Sequence, residues 1–509
     1  MPLPRSRNDR LRRPKRPRSG GTGVRSRAVR SQTAPGSPGP FPRALRPPQP
    51  VASLESSFLA GILQELHAEV RRSFPSLDRD IRGGERVYLN SGGGTLVAET
   101  SARAQARAAQ YTNAQDGNIT SGEILTAELQ AAARANVAAF LNATSADQIS
   151  FHSSTSHALF NLSFAFRDLL RRGDNLVVTH LDHAANVTPW ESLWGEDRGL
   201  EIRQCRLGAD GTLDLDHLER LVNRRTRLIA VTYASNGLGT IVPVESVVRI
   251  AHRNGRPRPP TGRSRGWQGA LVVVDAVHHA YHAPIDVRTL RCDFLALSGY
   301  KLFGPMIGAL WGRTDWLKAL RPYRVEPHTN EAPIKFEQGT PNNPVLAGLS
   351  GALEYLLWLG ERIEKASEGH PGARLLRERL RRAYPPGERR RLKWALCAIR
   401  EYEKTLSTAL LDGFRELRPH GVHLHGISDP ARISERDPTF TFEVRGQRAE
   451  AIKRQLWEEA HIEVTTGHCF SVALYRALRL ERAVRASFAH YDNLETVQHF
   501  FEALRGIVT

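Results

Sequence analysis

Cysteine is scarce in this chain of 509 residues: only Cys205, Cys292, Cys397 and Cys469 occur, far apart, and no two form a Cys-x-x-Cys pair. That pattern excludes a disulfide framework and a cysteine zinc site, and it fits a reducing compartment such as the cytoplasm. Long apolar runs are missing as well. None approaches the roughly 18 residues that a membrane-spanning helix requires, so no membrane association is expected. Acids are nearly absent from the first fifty residues, where thirteen Arg and Lys face the single acid Asp9. That net +12 leaves only +6 of the formal +18 for the remaining chain. The excess charge therefore belongs to a tail and not to a folded surface, which argues against a nucleic-acid-binding face. With eleven prolines and little apolar periodicity, residues 1–50 read as a disordered basic, Pro/Arg-rich tail. An organelle import address, a tail for acidic partners and an extension without function all fit that composition.

The rest is ordinary globular protein, with 40% hydrophobic and 24% charged residues overall and enough length for two domains. Apolar residues at helical spacing predict an opening helix over Leu54–Arg72, alanine-rich helices over Ala98–Gln110 and Glu123–Leu141, and later helices over Val244–His252, Leu346–Glu361, Trp394–Leu417 and Ala449–His461. Asn175–Thr179, Leu228–Thr232, Leu271–Asp275 and Phe294–Leu297 are apolar runs without alternation, the pattern of strands covered on both faces in a parallel sheet. Arg432–Val444 reads as a strand pair, Arg253–Gly269 as an exposed basic insert, and Ala373–Arg391 as a solvated excursion broken by Pro-Pro-Gly.

The chemistry concentrates between Leu271 and Gly312. One strand ends in an acid, Asp275, and the next turns through Ser298-Gly299-Tyr300 into Lys301. Ligands bind parallel sheets at the carboxyl ends of the strands, where both residues fall. Pyridoxal phosphate needs such a pair: a lysine to carry it, and a carboxylate to keep its pyridine nitrogen protonated. Lys301 also sits among Leu297, Leu302, Phe303 and Pro305, where a merely solvated lysine is not expected. His278 and His282 stand at i and i+4, a spacing that binds zinc on a helix. No acid accompanies them and a strand ending at Asp275 argues against a helix, so no metal is expected. Ser154-Thr155-Ser156, after a short strand, is either a plain helix cap or an anion site at a helix N-terminus.

VVVDAVHHAYHAPIDV followed by CDFLALSGYKLFGP resembles the cofactor-binding core of class V aminotransferase-type enzymes. Within that group the chain is similar to the cysteine desulfurase and selenocysteine lyase branch, and to its "cysteine desulfurase-like" subgroup, from about Tyr88 to the C-terminus. The resemblance implies an α/β protein of PLP-dependent transferase fold type I. A large domain (88–343, with the 253–269 insert) would have a mostly parallel sheet and bind the cofactor. A smaller α+β domain (344–509) would be joined by an N-terminal helical arm (51–87). It implies pyridoxal 5'-phosphate as cofactor, carried by Lys301, which also moves the substrate's Cα proton, with Asp275 at the pyridine nitrogen. His183 would stack on the ring, supported by Asn186 and Trp190. Asn236 would reach the phenolic oxygen, and His278 stands where many relatives carry a glutamine that touches the cofactor. Ser154, Thr155, Ser156, Ser298 and Tyr300 would hold the phosphate. Thr340, in a Gly-Thr-Pro loop, would reach the phosphate of the neighbouring subunit, which implies a homodimer. The stretch around Asn90 would line the substrate pocket, and Arg485, in an Arg-Ala-Ser setting, would bind the carboxylate of an amino-acid substrate.

Desulfurization further needs a cysteine on a loop to attack the substrate sulfur. Relatives read Arg-x-Gly-His-His-Cys there, whereas this chain reads Thr465-Thr466-Gly467-His468-Cys469. Cys469 is thus either the nucleophile of a loop one residue shorter or a small hydrophobe at a pocket wall. The functions expected are, first, removal of sulfur from L-cysteine or a related amino acid, with a sulfur-acceptor protein as partner. Second comes a PLP-dependent aminotransferase, β-eliminating lyase or epimerase that uses no cysteine. Third is a nucleic-acid or scaffold role of the basic tail.

Overall fold

In the computed structural model, residues 54–261 and 267–508 are described, and the basic tail and the middle of the insert lie outside them. The core is a seven-stranded sheet. Its strands are β1 (Ile149–His152), β2 (Asn175–Thr179), β3 (Glu201–Cys205), β4 (Thr226–Thr232), β5 (Leu271–Asp275), β6 (Phe294–Ser298) and β7 (Gly308–Gly312). They lie in the order β1-β7-β6-β5-β4-β2-β3, parallel from β6 through β3, while β7 runs antiparallel to both β6 and β1. The unalternating apolar runs explain this arrangement. Val272, Val274, Leu295 and Leu297 enter one buried cluster, and Leu271, Val273, Phe294 and Ala296 enter another. Successive side chains of a strand point to opposite faces, so both faces of the sheet are covered.

The helices include α1 (Leu54–Glu65), α2 (His67–Arg72), α3 (Glu99–Tyr111), α4 (Ser121–Leu141), α5 (Thr155–Ala165), α6 (Val244–Ala251), α7 (Asn343–Ala366), α8 (Arg374–Ala383), α9 (Glu388–Leu417), α10 (Ala449–Ala460) and α11 (Leu494–Val508). At the start of α4, Thr120 and Glu123 form a reciprocal capping box that satisfies two free N–H groups.

A second, antiparallel sheet combines β8 (Val422–His425), β9 (Thr439–Val444), β10 (Thr465–Gly467) and β11 (Ala483–Ser487) in the order β10-β11-β9-β8. Phe440 and Phe442 of β9 pack on Phe414 of α9, and Phe442 also meets Phe500 of α11. Val87–Tyr88 pairs in parallel with Ile462–Glu463.

Three expectations are corrected. Arg374–Ala383 is a helix and not a solvated excursion, because Leu376 and Leu380, one turn apart, are buried while most of its arginines face outward. Only Thr439–Val444 of the supposed strand pair is a strand. Pro430–Glu435 forms a short 3-10 turn, capped by the Asp429 carboxylate on the Ala431 N–H, and the pairing partner is β8. The insert is not wholly exposed: Pro257 and Trp267 are buried, and Trp267 packs edge-on against Trp316.

Candidate active site

The carboxyl ends of β2, β4, β5 and β6 deliver residues to one rim, as parallel-sheet physics leads one to expect. A cavity of about 210 Å³ opens there, lined among others by Ser154, His183, Asn236, Asp275, His278 and Lys301. Thr155, Ser156, Ser298 and Tyr300 complete the wall. Ser156, His183, Asn236, Tyr300 and Lys301 also line a wider cleft of about 940 Å³, into which Cys469 and Arg485 enter. One chain thus brings together all the expected site residues except Thr340. That threonine lines a separate cavity of about 410 Å³ beside Phe151, His157 and Met306.

Lys301 follows β6 on a 3-10 turn and is only 4% exposed. Burial, reinforced by Arg485 and opposed by Asp275, lowers its pKa to about 7. Asp275, which accepts the Val277 N–H at 2.9 Å, has its pKa raised by burial, and the attraction of Lys301 only partly offsets this. For both groups desolvation outweighs the attraction between them. His183 accepts the Ala185 N–H on Nδ1 at 3.0 Å, and burial, with Lys301 and Arg485 nearby, pushes its pKa down to about 4. Its ring is therefore neutral and flat at physiological pH. Asp182 supports the turn that presents it, accepting from Thr179 and, at 2.7 Å, from Asn186.

Of the three small residues at the N-terminus of α5, two hydroxyls are already engaged. Ser154 caps the helix by accepting the His157 N–H at 3.1 Å, and Thr155 donates to the Leu297 carbonyl at 2.8 Å. The capping reading therefore holds. The cap takes the His157 N–H, and Thr155 spends its hydroxyl on tying the turn to β6. Gly308 of β7 passes so close that a Cβ there would meet the Ser154 carbonyl carbon at 2.3 Å and the Thr155 nitrogen at 2.4 Å.

Asn236, on the cavity wall, also has partners within the chain. Its amide donates to the Cys469 carbonyl at 2.8 Å and accepts from the Ser471 hydroxyl at 2.8 Å, while Arg485 donates to its backbone carbonyl at 2.9 Å. Arg485 also reaches the side chain of Asn90 at 3.3 Å. Asn236 therefore holds the Cys469 segment against the cleft. The Phe470 carbonyl accepts the Ala184 N–H at 2.8 Å, and its ring lies 5.4 Å from that of His183. Gly467, Cys469 and Phe470 all have positive φ, at 95°, 48° and 58°. Left-handed backbone is costly for a cysteine and a phenylalanine, and this tight turn is what aims Cys469 into the cleft. Ser471 and Phe470 carried no sequence signal, because their contacts with Asn236 and Ala184 span more than 230 residues.

The histidine run also differs from expectation. His279–Tyr281 is a 3-10 turn, and the fold brings an acid to it: Asp437 accepts from His279 Nδ1 at 3.0 Å. The sequence could not show this acid, which stands on the approach to β9.

The chain has relatives among known proteins. The family model described as "Aminotransferase class-V" matches residues 87–383 and 391–500. The chain belongs to the class-V aminotransferase family. A protein of Klebsiella pneumoniae named "Cysteine desulfurase" is 31% identical over 86% of this chain and 97% of its own length. Another of that name from Pectobacterium atrosepticum is 34% identical over 57% of this chain and 72% of its own. Among solved structures, an apo cysteine desulfurase from Thermococcus onnurineus aligns with a TM-score of 0.70 at 25% identity, covering 87% of this chain and 98% of that one. The fold is accordingly the α/β fold type I, and the chain is an enzyme dependent on pyridoxal phosphate.

The residues present fit that cofactor. A helix N-terminus and small hydroxyl residues suit its phosphate, and a buried carboxylate suits its ring nitrogen. A neutral imidazole suits its flat face, and Lys301 opens on the same cavity. The narrowness at Gly308 preserves the phosphate cradle. No helix among the described residues is long and apolar enough to cross a membrane.

Proposed function

We propose that this enzyme removes sulfur from L-cysteine, leaving alanine, with Cys469 as the sulfur-accepting nucleophile. The observation that carries the proposal is that Cys469 enters the cleft lined by Lys301, His183 and Arg485. The relatives named cysteine desulfurase support it. When bound, pyridoxal phosphate supplies an electron sink that acidifies the substrate Cα–H. Ser154, Thr155, Ser156, Ser298 and Tyr300 would hold its phosphate, Asp275 its ring nitrogen and His183 its face, with His278 at the cavity wall.

Arg485 forms two charge-assisted hydrogen bonds to the substrate carboxylate and so fixes which bond faces Lys301. Lys301, with its pKa near neutrality, takes the Cα proton. Cys469 Sγ then attacks the substrate sulfur: an S–S bond forms, the substrate Cβ–S bond breaks, and its electron pair ends on carbon with a proton, after which Lys301 returns a proton to Cα. The products are alanine and a persulfide on Cys469, which passes its outer sulfur to a thiol of an acceptor protein or releases it as sulfide when a reducing thiol attacks and is itself oxidised to a disulfide. Thr340 serves the site of a second subunit in a homodimer. The turn at Gly467–Ser471 leaves Cys469 at the cleft without the extra histidine that precedes the cysteine in similar enzymes.

The experiment is to add L-cysteine and a reducing thiol to the yellow holoenzyme and to quantify alanine, sulfide and pyruvate for wild type and Cys469→Ala. Equal alanine and sulfide, reduced at least a hundredfold in the variant while the yellow absorbance persists, is the expected result. Pyruvate from both proteins would make the enzyme a β-eliminating lyase, with Cys469 merely a wall residue. No turnover of cysteine by either would exclude cysteine as substrate.

A further inference from the structure

Three side chains able to ligate a metal converge behind the cofactor cavity. A nitrogen of His278, a nitrogen of His282 and a carboxylate oxygen of Asp437 lie within 4.8 Å of one another, and all three residues are buried. Each histidine has one ring nitrogen engaged elsewhere. His282 Nδ1 lies 2.7 Å from a carboxyl oxygen of Glu403. Thr439 gives its single hydroxyl proton to Ser487, so its oxygen accepts from His278 Nε2, at 3.2 Å. Both free nitrogens, His278 Nδ1 and His282 Nε2, are buried with no hydrogen-bond partner. Asp437 is oriented by His279, whose Nδ1 donates to it.

An unpaired buried nitrogen is expensive, and here two belong to one cluster with a carboxylate. A divalent cation serves both imidazoles and the carboxylate at once, and its charge offsets that of the buried Asp437. The outer contacts also have the form that metal sites take: a ligating imidazole whose other nitrogen is bound to a carboxylate or hydroxyl, and a ligating carboxylate that is itself hydrogen-bonded. Arg436, adjacent to Asp437, does not fill the gap, because its guanidinium donates to the carbonyls of Ile427, Leu238 and Thr439.

We propose that His278, His282 and Asp437 bind one divalent transition-metal ion, zinc or a metal of similar ligand preference, behind the cofactor cavity. Two imidazoles and a carboxylate suit such an ion. Metal–ligand bonds of about 2.0–2.2 Å require the three side chains to draw inward by up to about 1.5 Å on binding. The ion joins the turn after β5 to the start of β9, with Glu403 of α9 supporting His282 from outside. It fixes the ring of His278 where that ring meets the cofactor, and its role is structural.

The test uses the holoenzyme, so that the cofactor is in place beside His278. Protein is incubated with Zn²⁺ or Co²⁺, dialysed against metal-free buffer and analysed for metal, and the cobalt form is examined by visible spectroscopy. The expected result is about one ion per chain, ligand-field bands of a nitrogen-containing cobalt site, and at least tenfold less retained metal in Asp437→Asn and in His282→Gln. Wild-type protein that retains less than a tenth of an equivalent overturns the proposal, and this measurement does not depend on either variant folding. Equal retention by a folded Asp437→Asn also overturns it, by placing the metal elsewhere.

Discussion

At the scale of single residues, the site works by withholding water from charges. Lys301 would keep its proton until pH 10.5 in solvent, yet burial brings its pKa to about 7. Arg485 pushes in the same direction and Asp275 resists, so desolvation is the larger effect. The sign of the consequence follows directly. A lowered lysine pKa means that the neutral, nucleophilic amine predominates above about pH 7. Apoenzyme should therefore take up pyridoxal phosphate at a rate that climbs between pH 6 and pH 7 and flattens by about pH 8. Stopped-flow absorbance over pH 6–9 checks this. An uptake rate still rising about tenfold per unit above pH 8 would return Lys301 to an ordinary solvated lysine. His183 behaves in the same way for a different purpose: with its pKa near 4 it stays uncharged throughout this range, and an uncharged ring can lie on an aromatic face without bringing a second cation beside Lys301.

At the scale of elements, the decisive contact is between β7 and the N-terminus of α5. Gly308 is required there by the close approach of the Ser154–Thr155 backbone, which leaves no room for a methyl group. Gly308→Ala must push the first turn of α5 away from β7 and with it the phosphate cradle. The expected outcome is a loss of about 1–3 kcal/mol in stability, seen as a lower melting temperature, and weaker retention of the yellow cofactor on dialysis. A variant that melts lower but holds its cofactor as well as wild type would separate the cradle from the strand.

Those same elements show what local sequence can and cannot carry. Unbroken apolar runs identified β2, β4, β5 and β6, and the acid and lysine ending two of them located the rim, because strand burial and strand polarity are local properties. The Cys469 turn was legible only as a cysteine in a Gly-His setting. Its aim depends on Asn236, whose amide lies 233 positions away and gave no local sign of that partner. The acid beside the histidine run was invisible for the same reason, as Asp437 lies 158 positions from His279. The arginine-rich segment 374–383 misled because its charge outweighs two buried leucines in composition but not in packing.

At the scale of the whole molecule, one expected site residue stays outside the cleft. Thr340 lines its own cavity beside Met306, whose side chain is 80% exposed although it borders the loop that carries Lys301. An exposed methionine next to a site-bearing loop suits a surface that meets another subunit. If Thr340 acts across a two-fold interface, its defect and that of Lys301 fall in different places. In a mixed dimer of Lys301→Ala and Thr340→Ala subunits, one site carries both defects and the other carries neither. Co-refolding or co-expressing the two variants, each impaired alone, should therefore restore activity toward about a quarter of wild type, since half the dimers are mixed and each has one intact site. If Thr340 instead served its own subunit, every site in the mixture would carry one defect or the other. Activity would then never exceed the average of the two parents, and the threonine would belong to a single-chain function of the 410 Å³ cavity.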